Sequence, residues 1–138
     1  TGDPLVVPLA DQAVAILREM EAQNRTRSNY VFPGARKASR PMSENAVIAA
    51  LANLGYKDRH TGHGFRATAR TLLVERLGYP VDRVEMQLGH RVADVHGRAY
   101  NRTQFLQERR HMMQHYADYL DQLKAGESNV VAIGAGNA

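Results

Sequence analysis

Residues 61–73 read TGHGFRATARTLL, and the spacing of their side chains predicts a helix that runs on to Gly78. His63, Arg66 and Arg70 stand at positions i, i+3 and i+7, so they share one face of this helix. A histidine and an arginine one turn apart near a helix start can both reach one phosphate, helped by free backbone N–H groups. This face therefore suits an anion. We expect the opposite, apolar stripe to be buried, and its members are Phe65, Ala69, Leu72 and Leu73.

Four more helices are predicted from apolar residues at helical spacing and from residue types that begin or end helices. The short apolar run Leu5–Leu9 is interrupted by Pro8 and reads as one half of a hairpin. We therefore expect a mainly α fold with a small N-terminal β-hairpin remnant, formed by residues 1–125, and a flexible tail at 126–138. The four helices are Asp11 to about Asn24, a helix capped by Ser43 and stopped by Gly55, Val81 to Leu88, and about Thr103 to Ala125.

Composition excludes several classes of protein. The chain has 138 residues, of which 43% are hydrophobic, so it is long enough to bury a core. It contains no cysteine, which rules out disulfides, thiolate zinc sites and cysteine nucleophiles. No apolar run approaches the roughly 20 residues that span a bilayer, and no secretory signal is evident at the start of the sequence. We expect a soluble protein of the bacterial cytoplasm.

The formal net charge of +4 suits a polyanionic partner, but it also suits many proteins that never touch nucleic acid. Arg36, Lys37 and Arg40 lie in a loop rich in Pro, Gly and Ser, whereas Arg70 lies on the predicted helix. These four side chains are candidate DNA contacts. The alternative is that each is an ordinary solvated surface residue.

Three motifs follow one another in a fixed order: His63-Gly64-Phe65-Arg66, then Leu88-Gly89-His90, then Tyr100. Together with residues 84–103, VEMQLGHRVADVHGRAYNRT, the stretch 61–73 resembles the end of the catalytic domain of the tyrosine recombinases. The resemblance is to phage-type integrases of prophages and genomic islands. Three upstream stretches resemble the same proteins: LVVPLADQA at 5–13, YVFPGARKASRPMSENAV at 30–47 and LANLGY at 51–56.

The four side chains of these motifs suit the transesterification that such enzymes perform. A fixed Arg66 guanidinium would stabilise charge that builds on the phosphorus oxygens. A tyrosine hydroxyl, with a reference pKa near 10, must lose its proton as it attacks, so His63 would be the base for the nucleophile Tyr100. His90 would hold a nonbridging oxygen. This chemistry needs no metal, no nucleotide cofactor and no small-molecule substrate.

The resemblance implies more about the whole enzyme. It implies site-specific integration and excision at double-stranded DNA attachment sites, through a 3′-phosphotyrosine intermediate, by a homo-oligomer that is a tetramer on DNA. It also implies an upstream arginine, and a lysine on a β-hairpin whose second strand resembles Leu5–Leu9, so both would precede Thr1. We therefore expect a fragment of the DNA breaking–rejoining catalytic core that is inactive or weakly active by itself.

Simpler interpretations stay open at this point. The chain could be a noncatalytic helical module that binds DNA or another protein. His63 could be satisfied by the backbone at a helix start, Arg66 could be a surface ion-pair partner, and Tyr100 could pack in the core. His111 and His115, at i and i+4 on the last helix, could hold a metal, but the sequence offers no third ligand.

Overall fold

The chain folds mainly into helices. In a computed structural model, residues 5–23, 28–90 and 105–126 are described. The helices that begin at Ala46 and at Gly62 each continue into a wider π-type turn, Ala52–Tyr56 and Leu72–Arg76 respectively. The five helices are α1 (Asp11–Gln23), α2 (Ala46–Leu51), α3 (Gly62–Thr71), α4 (Val81–Gln87) and α5 (Leu106–Lys124).

The predicted helices are all present within the described residues, and α3 is the one whose start the sequence defines best. Thr61 is its N-cap in an extended conformation, and its hydroxyl accepts a hydrogen bond from the Gly64 N–H at 3.1 Å. The prediction for α2 was wrong by two residues at its start. Asn45 occupies the N-cap position, and Ser43 instead accepts the Asn45 N–H at 3.3 Å in the preceding turn. The predicted ends at Asn24 and Thr103 lie outside the described residues.

The segment Leu5–Ala10 forms neither helix nor strand. Within the described ranges, the β-type pairing is one isolated antiparallel bridge between Pro33 and Pro41. The hairpin remnant expected at Leu5–Leu9 is therefore not seen in this part of the chain, which offers that segment no strand to pair with.

A small apolar core holds the second half of the chain together. Its centre is formed by Leu73, Val84 and Met112, which are fully buried. These residues come from the extension of α3, from α4 and from α5, so the core fixes the direction of α3 relative to α4. Partly buried residues surround it: Val74, Leu77, Tyr79, Leu88, Met113 and Tyr116.

The predicted buried stripes are only partly confirmed. Leu73 is fully buried, but Phe65 at the start of the same stripe is 53% exposed, and its ring meets the His60 ring edge to face at 4.3 Å. On α2 and its extension, where we expected core packing, Leu54 is 72% exposed and Val47 is also exposed. The reason is that the core lies where α3, α4 and α5 converge, and within the described residues no element covers this side of α2.

A buried arginine connects three segments. Arg109, near the start of α5, is fully buried and donates hydrogen bonds to Gln87 Oε1 at 3.1 Å and to the Val6 carbonyl at 3.0 Å. Its Nε is also buried and has no partner in the described part of the chain. Burial lowers the pKa of Arg109. The N-terminal segment is thus tied to the ends of α4 and α5.

Among the described helices, none is both long and apolar enough to cross a membrane.

Candidate active site

Two of the predicted site residues meet directly. Arg66 on α3 and His90 just after α4 are 24 residues apart in sequence, yet Arg66 Nη2 lies 3.1 Å from His90 Nε2. The same Nη2 donates a hydrogen bond to the Leu88 carbonyl. The guanidinium of Arg66 is half-buried, whereas the His90 side chain is 51% exposed. The contact is therefore open to solvent on the side of the imidazole.

The turn that ends α4 determines where His90 lies. Gly89 has a left-handed conformation with φ of 74°. The His90 N–H donates to the Glu85 carbonyl at 2.9 Å, and the Gly89 N–H donates to the Met86 carbonyl at 3.0 Å. This pair of bonds is the Schellman motif, in which the residue after the glycine folds back over the residue five positions earlier. The motif brings His90 to Glu85.

Glu85 is the functional candidate that the sequence analysis missed. Its Oε2 is hydrogen-bonded to His90 Nδ1, and its Oε1 lies 2.5 Å from Arg70 Nε. The hydrogen bond with His90, and next the one with Arg70, hold the pKa of the Glu85 carboxyl below its ordinary value. We call the four side chains Arg66, Arg70, Glu85 and His90 the Glu85 cluster.

The cluster defines which nitrogen of His90 carries a proton. A guanidinium has only donors, so His90 Nε2 must accept the hydrogen bond from Arg66 Nη2. The proton of the neutral imidazole then lies on Nδ1, from which it is donated to the Glu85 carboxylate. In this arrangement, Nε2 and the Arg66 guanidinium are hydrogen-bonded to each other.

His63 lies one turn before Arg66 on α3 and is exposed. Side chains at i and i+3 are neighbours on a helix, so His63 and Arg66 share one face as predicted. His63 has no hydrogen-bond partner among the described residues. Its side chain thus lies on the exposed surface of α3.

The second residue of the same motif is a glycine for a steric reason. A Cβ built on Gly64 would lie 2.9 Å from Cε1 of His60. The His60 ring packs against the start of α3 at this point, and its Nε2 is buried without a partner in the described part of the chain.

The cationic loop, residues 33–41, is a short loop closed by backbone hydrogen bonds. The Gly34 N–H donates to the Arg40 carbonyl at 2.8 Å, and the Arg40 N–H donates to the Lys37 carbonyl at 3.1 Å. Arg36, Lys37 and Arg40 are all exposed. None of these three cations forms an ion pair within the described ranges. They thus present positive charge at the end of a short hairpin-like loop.

Arg70, the fourth predicted DNA contact, behaves differently. Its guanidinium forms an ion pair with Glu85 and remains 49% exposed. Tyr100, the predicted nucleophile, lies outside the described residues.

The histidines of α5 do not form a metal site in the part of the chain that is described. The His111 and His115 rings are 6.4 Å apart, and His115 Nδ1 is hydrogen-bonded to the Tyr79 hydroxyl at 3.0 Å. No group of three or more His, Cys, Asp or Glu side chains that could hold a metal ion occurs among these residues.

Comparison with known proteins gives a consistent result. A family model described as "Phage integrase family" matches residues 1–107. The prophage integrase IntZ of Escherichia coli (strain K12) is 44% identical over 129 residues, which are 91% of this chain and 31% of that protein. The integrase of Shigella phage Sf6 is 37% identical over 85% of this chain and 30% of its own length.

A third relative, the integrase of Enterobacteria phage P4, is 42% identical over 84% of this chain and 27% of its own length. The chain thus spans about three tenths of the length of these relatives. No solved structure matches the chain significantly.

Proposed function

Because the chain belongs to the phage integrase family, we propose that it is the C-terminal part, residues 1–125, of the catalytic domain of a tyrosine site-specific recombinase. The enzyme would integrate and excise a prophage or genomic island at double-stranded DNA attachment sites. The observation that carries this proposal is the direct contact between Arg66 and His90, since the two motifs that supply them are remote in sequence. A surface ion-pair role for Arg66 would not require a histidine beside it.

The phosphate would be bound between α3 and the end of α4. Arg66 Nη2 now donates to Leu88 O and His90 Nε2. A nonbridging phosphate oxygen could replace the imidazole at that guanidinium, and His90 would then hold the oxygen from the other side. Charge on these oxygens grows as the attacking and leaving oxygens align. A guanidinium fixed in place beforehand stabilises that state more than the ground state.

Tyr100 would supply the attacking oxygen. Its Oη forms a bond to phosphorus while the bond from phosphorus to the 5′ oxygen breaks. The leaving oxygen takes up a proton from solvent, so the products are a 3′-phosphotyrosine and a free 5′-hydroxyl. The exposed imidazole of His63 would accept the tyrosine proton. Because one phosphodiester is exchanged for another, the bond energy is kept and a second 5′-hydroxyl can reverse the step. The residues described here need no metal or nucleotide cofactor for it.

Further cationic groups would come from residues that precede this chain in the whole enzyme. Leu5 Cδ2 lies only 3.3 Å from the point where a Cβ on Gly89 would be, so the N-terminal segment passes beside the turn that carries His90. A strand paired with Leu5–Leu9 would therefore run close to the site. Such a hairpin would bring a lysine to the site, as expected for a chain that belongs to a DNA breaking–rejoining catalytic core.

The exposed cations Arg36, Lys37 and Arg40 would contact the DNA backbone. Arg70 would reach a phosphate with the part of its guanidinium that Glu85 leaves free. We further propose that the whole enzyme acts in the bacterial cytoplasm as a homo-oligomer, a tetramer on DNA.

The test is formation of a covalent protein–DNA adduct. The substrate would be a pool of random-sequence duplex oligonucleotides, nicked, with a 3′-p-nitrophenyl phosphodiester at the nick. Because p-nitrophenolate leaves without taking up a proton, this substrate needs no acid to protonate the leaving oxygen. The chain is expected to be at most weakly active on ordinary DNA, but on this activated substrate it should form an adduct that survives a denaturing gel, and Tyr100→Phe should form none.

Arg66→Ala should slow adduct formation by on the order of 10²-fold, the effect of deleting one preorganised donor. The control is Arg76→Ala, because Arg76 is exposed on the extension of α3 and belongs to none of the motifs. DNA binding without any adduct would instead indicate the noncatalytic DNA-binding module. An undiminished adduct in Tyr100→Phe would refute the nucleophile.

A further inference from the structure

The carboxylate of Glu85 is hydrogen-bonded to two side chains of the site, His90 and Arg70. One carboxylate oxygen is hydrogen-bonded to His90 Nδ1 and the other to Arg70 Nε at 2.5 Å. The side chain of Glu85 is only 20% exposed, so these two contacts use most of its accessible surface. A carboxylate held in this way has little freedom to turn.

The position of Glu85 follows from the backbone and not from chance contact. In a Schellman turn, the residue after the glycine lies over the residue five positions before it, and an apolar pair usually fills these two places. Here the pair is His90 and Glu85, joined by the backbone bond at 2.9 Å as well as by their side chains. The turn itself therefore positions a carboxylate behind the imidazole, on the side away from Arg66.

We propose that Glu85 is a positioning residue of this site: its carboxylate fixes the Nδ1–H tautomer of His90 and provides the countercharge when Nε2 turns from Arg66 to a DNA phosphate. The inference rests on the proposed function. For Nε2 to donate to a nonbridging phosphate oxygen while Nδ1 keeps its proton for Glu85, the imidazole must take up one proton from solvent. The resulting imidazolium then lies between two anions, the carboxylate and the phosphate.

The charges around His90 are consistent with this sequence of events. Without DNA, the cluster holds two guanidinium groups, Arg66 and Arg70, and one carboxylate, Glu85, around a neutral imidazole. A proton on Nε2 would add a third cation to the cluster, and a bound phosphate would offset that charge. Binding of the phosphate and protonation of Nε2 would thus occur together, and Glu85 would prevent the imidazole from flipping to present Nδ1 instead.

The first part of the test is spectroscopic and does not depend on catalysis. The 138-residue chain would be labelled with ¹⁵N-histidine, and the His90 signals would be assigned by comparison with His90→Gln. The shifts of Nδ1 and Nε2 distinguish the two neutral tautomers. We expect the Nδ1–H form to predominate in the unchanged chain and the Nε2–H form, usual for a free imidazole, to gain population in Glu85→Gln.

The second part is the rate of adduct formation on the nicked duplex pool. Glu85→Gln should reduce the rate by about 10- to 100-fold, by analogy with the carboxylates that orient metal-binding histidines, while DNA affinity stays within about twofold. Glu85→Asp keeps the charge and should recover part of the rate. The control is Glu75→Gln, an exposed glutamate outside the cluster, which should change neither the spectrum nor the rate.

An unchanged His90 tautomer in folded Glu85→Gln would overturn the inference, as would a changed tautomer with an unchanged rate. If the unchanged chain forms no adduct, the proposed function fails, whereas the spectrum still decides whether Glu85 fixes the imidazole. The two failures are therefore distinguishable.

Discussion

Replacing Gly89 with alanine tests whether the left-handed turn after α4 builds the site. With φ of 74°, an alanine at this position pays a backbone penalty of about 1–2 kcal/mol. Alanine also restricts the unfolded chain more than glycine does, and this offsets roughly 0.4–1 kcal/mol of the backbone penalty. The new Cβ would meet Leu5 Cδ2 at 3.3 Å, but Leu5 is exposed and can yield. We therefore expect the free energy of unfolding to fall by about 1 kcal/mol.

Two other glycines supply the controls for this experiment. Gly78 also has a left-handed φ, 72°, but no described residue lies within 4 Å of its Cβ position, so Gly78→Ala isolates the backbone penalty. Near Gly62, at the start of α3, the described residues place Val47 Cγ1 at 3.9 Å from the Cβ position, so Gly62→Ala should be neutral or slightly stabilising. All three variants would be compared by urea unfolding at one pH.

The site provides the second measurement on the same variants. Only Gly89→Ala should disturb the His90 tautomer seen by ¹⁵N NMR, because Gly89 alone of the three lies in the turn that joins His90 to Glu85. Equal losses of stability in Gly89→Ala and Gly78→Ala would support the argument. A loss below about 0.3 kcal/mol in Gly89→Ala, or an undisturbed His90, would refute the reasoning that the left-handed turn positions the imidazole.

Three further outcomes are expected. Leu73→Ala should lower the free energy of unfolding by about 2–5 kcal/mol because Leu73 is fully buried. Leu54 is 72% exposed, so Leu54→Ala should change the free energy of unfolding by less than about 0.5 kcal/mol. Urea unfolding measures both, and equal losses would contradict the assigned core. The folded-state pKa of Glu85 is lowered, so its contribution to the free energy of unfolding is complete above the unfolded carboxyl pKa and is lost as pH falls through the folded value. The free energy of unfolding should therefore decline less steeply at acidic pH in Glu85→Gln than in the unchanged chain. Parallel declines would contradict this. Arg109→Met should lower the free energy of unfolding by about 1–3 kcal/mol because it leaves Gln87 Oε1 without its hydrogen-bond donor. Adding Gln87→Leu should recover part of that loss. A double variant less stable than the single one would contradict this prediction.

The helices could be predicted from the sequence because local signals define them. Thr61 caps α3 as its residue type suggests, and glycines lie where α4 and the extension of α3 end. Burial could not be predicted as well, because it depends on which helices pack together. Phe65 and Leu73 belong to one apolar stripe, but only Leu73 faces α4 and α5. Helical spacing alone does not distinguish them.

Two residues of the candidate site were named from the sequence and lie in contact. Arg66 and His90 were named from their motifs, and their contact agrees with a shared phosphate site. Glu85 was missed because a lone glutamate on a short amphipathic helix reads as solvated surface. A signal was nevertheless present, since a glycine just after a helix predicts a Schellman turn, and that turn pairs the residues on either side of it, Glu85 and His90. For Arg70, the alternative was a solvated surface residue; its side chain is 49% exposed and forms an ion pair with Glu85.

The most direct test of the central claim is to find the residue that carries the DNA phosphate. The gel-stable adduct would be digested with nuclease and protease, and the modified peptide would be identified by mass spectrometry. We predict a single nucleotide 3′-phosphate esterified to Tyr100, absent from Tyr100→Phe and strongly reduced in Arg66→Ala. Modification of another side chain, or an adduct that persists in Tyr100→Phe, would contradict the assignment of this chain as the nucleophile-bearing part of a tyrosine recombinase.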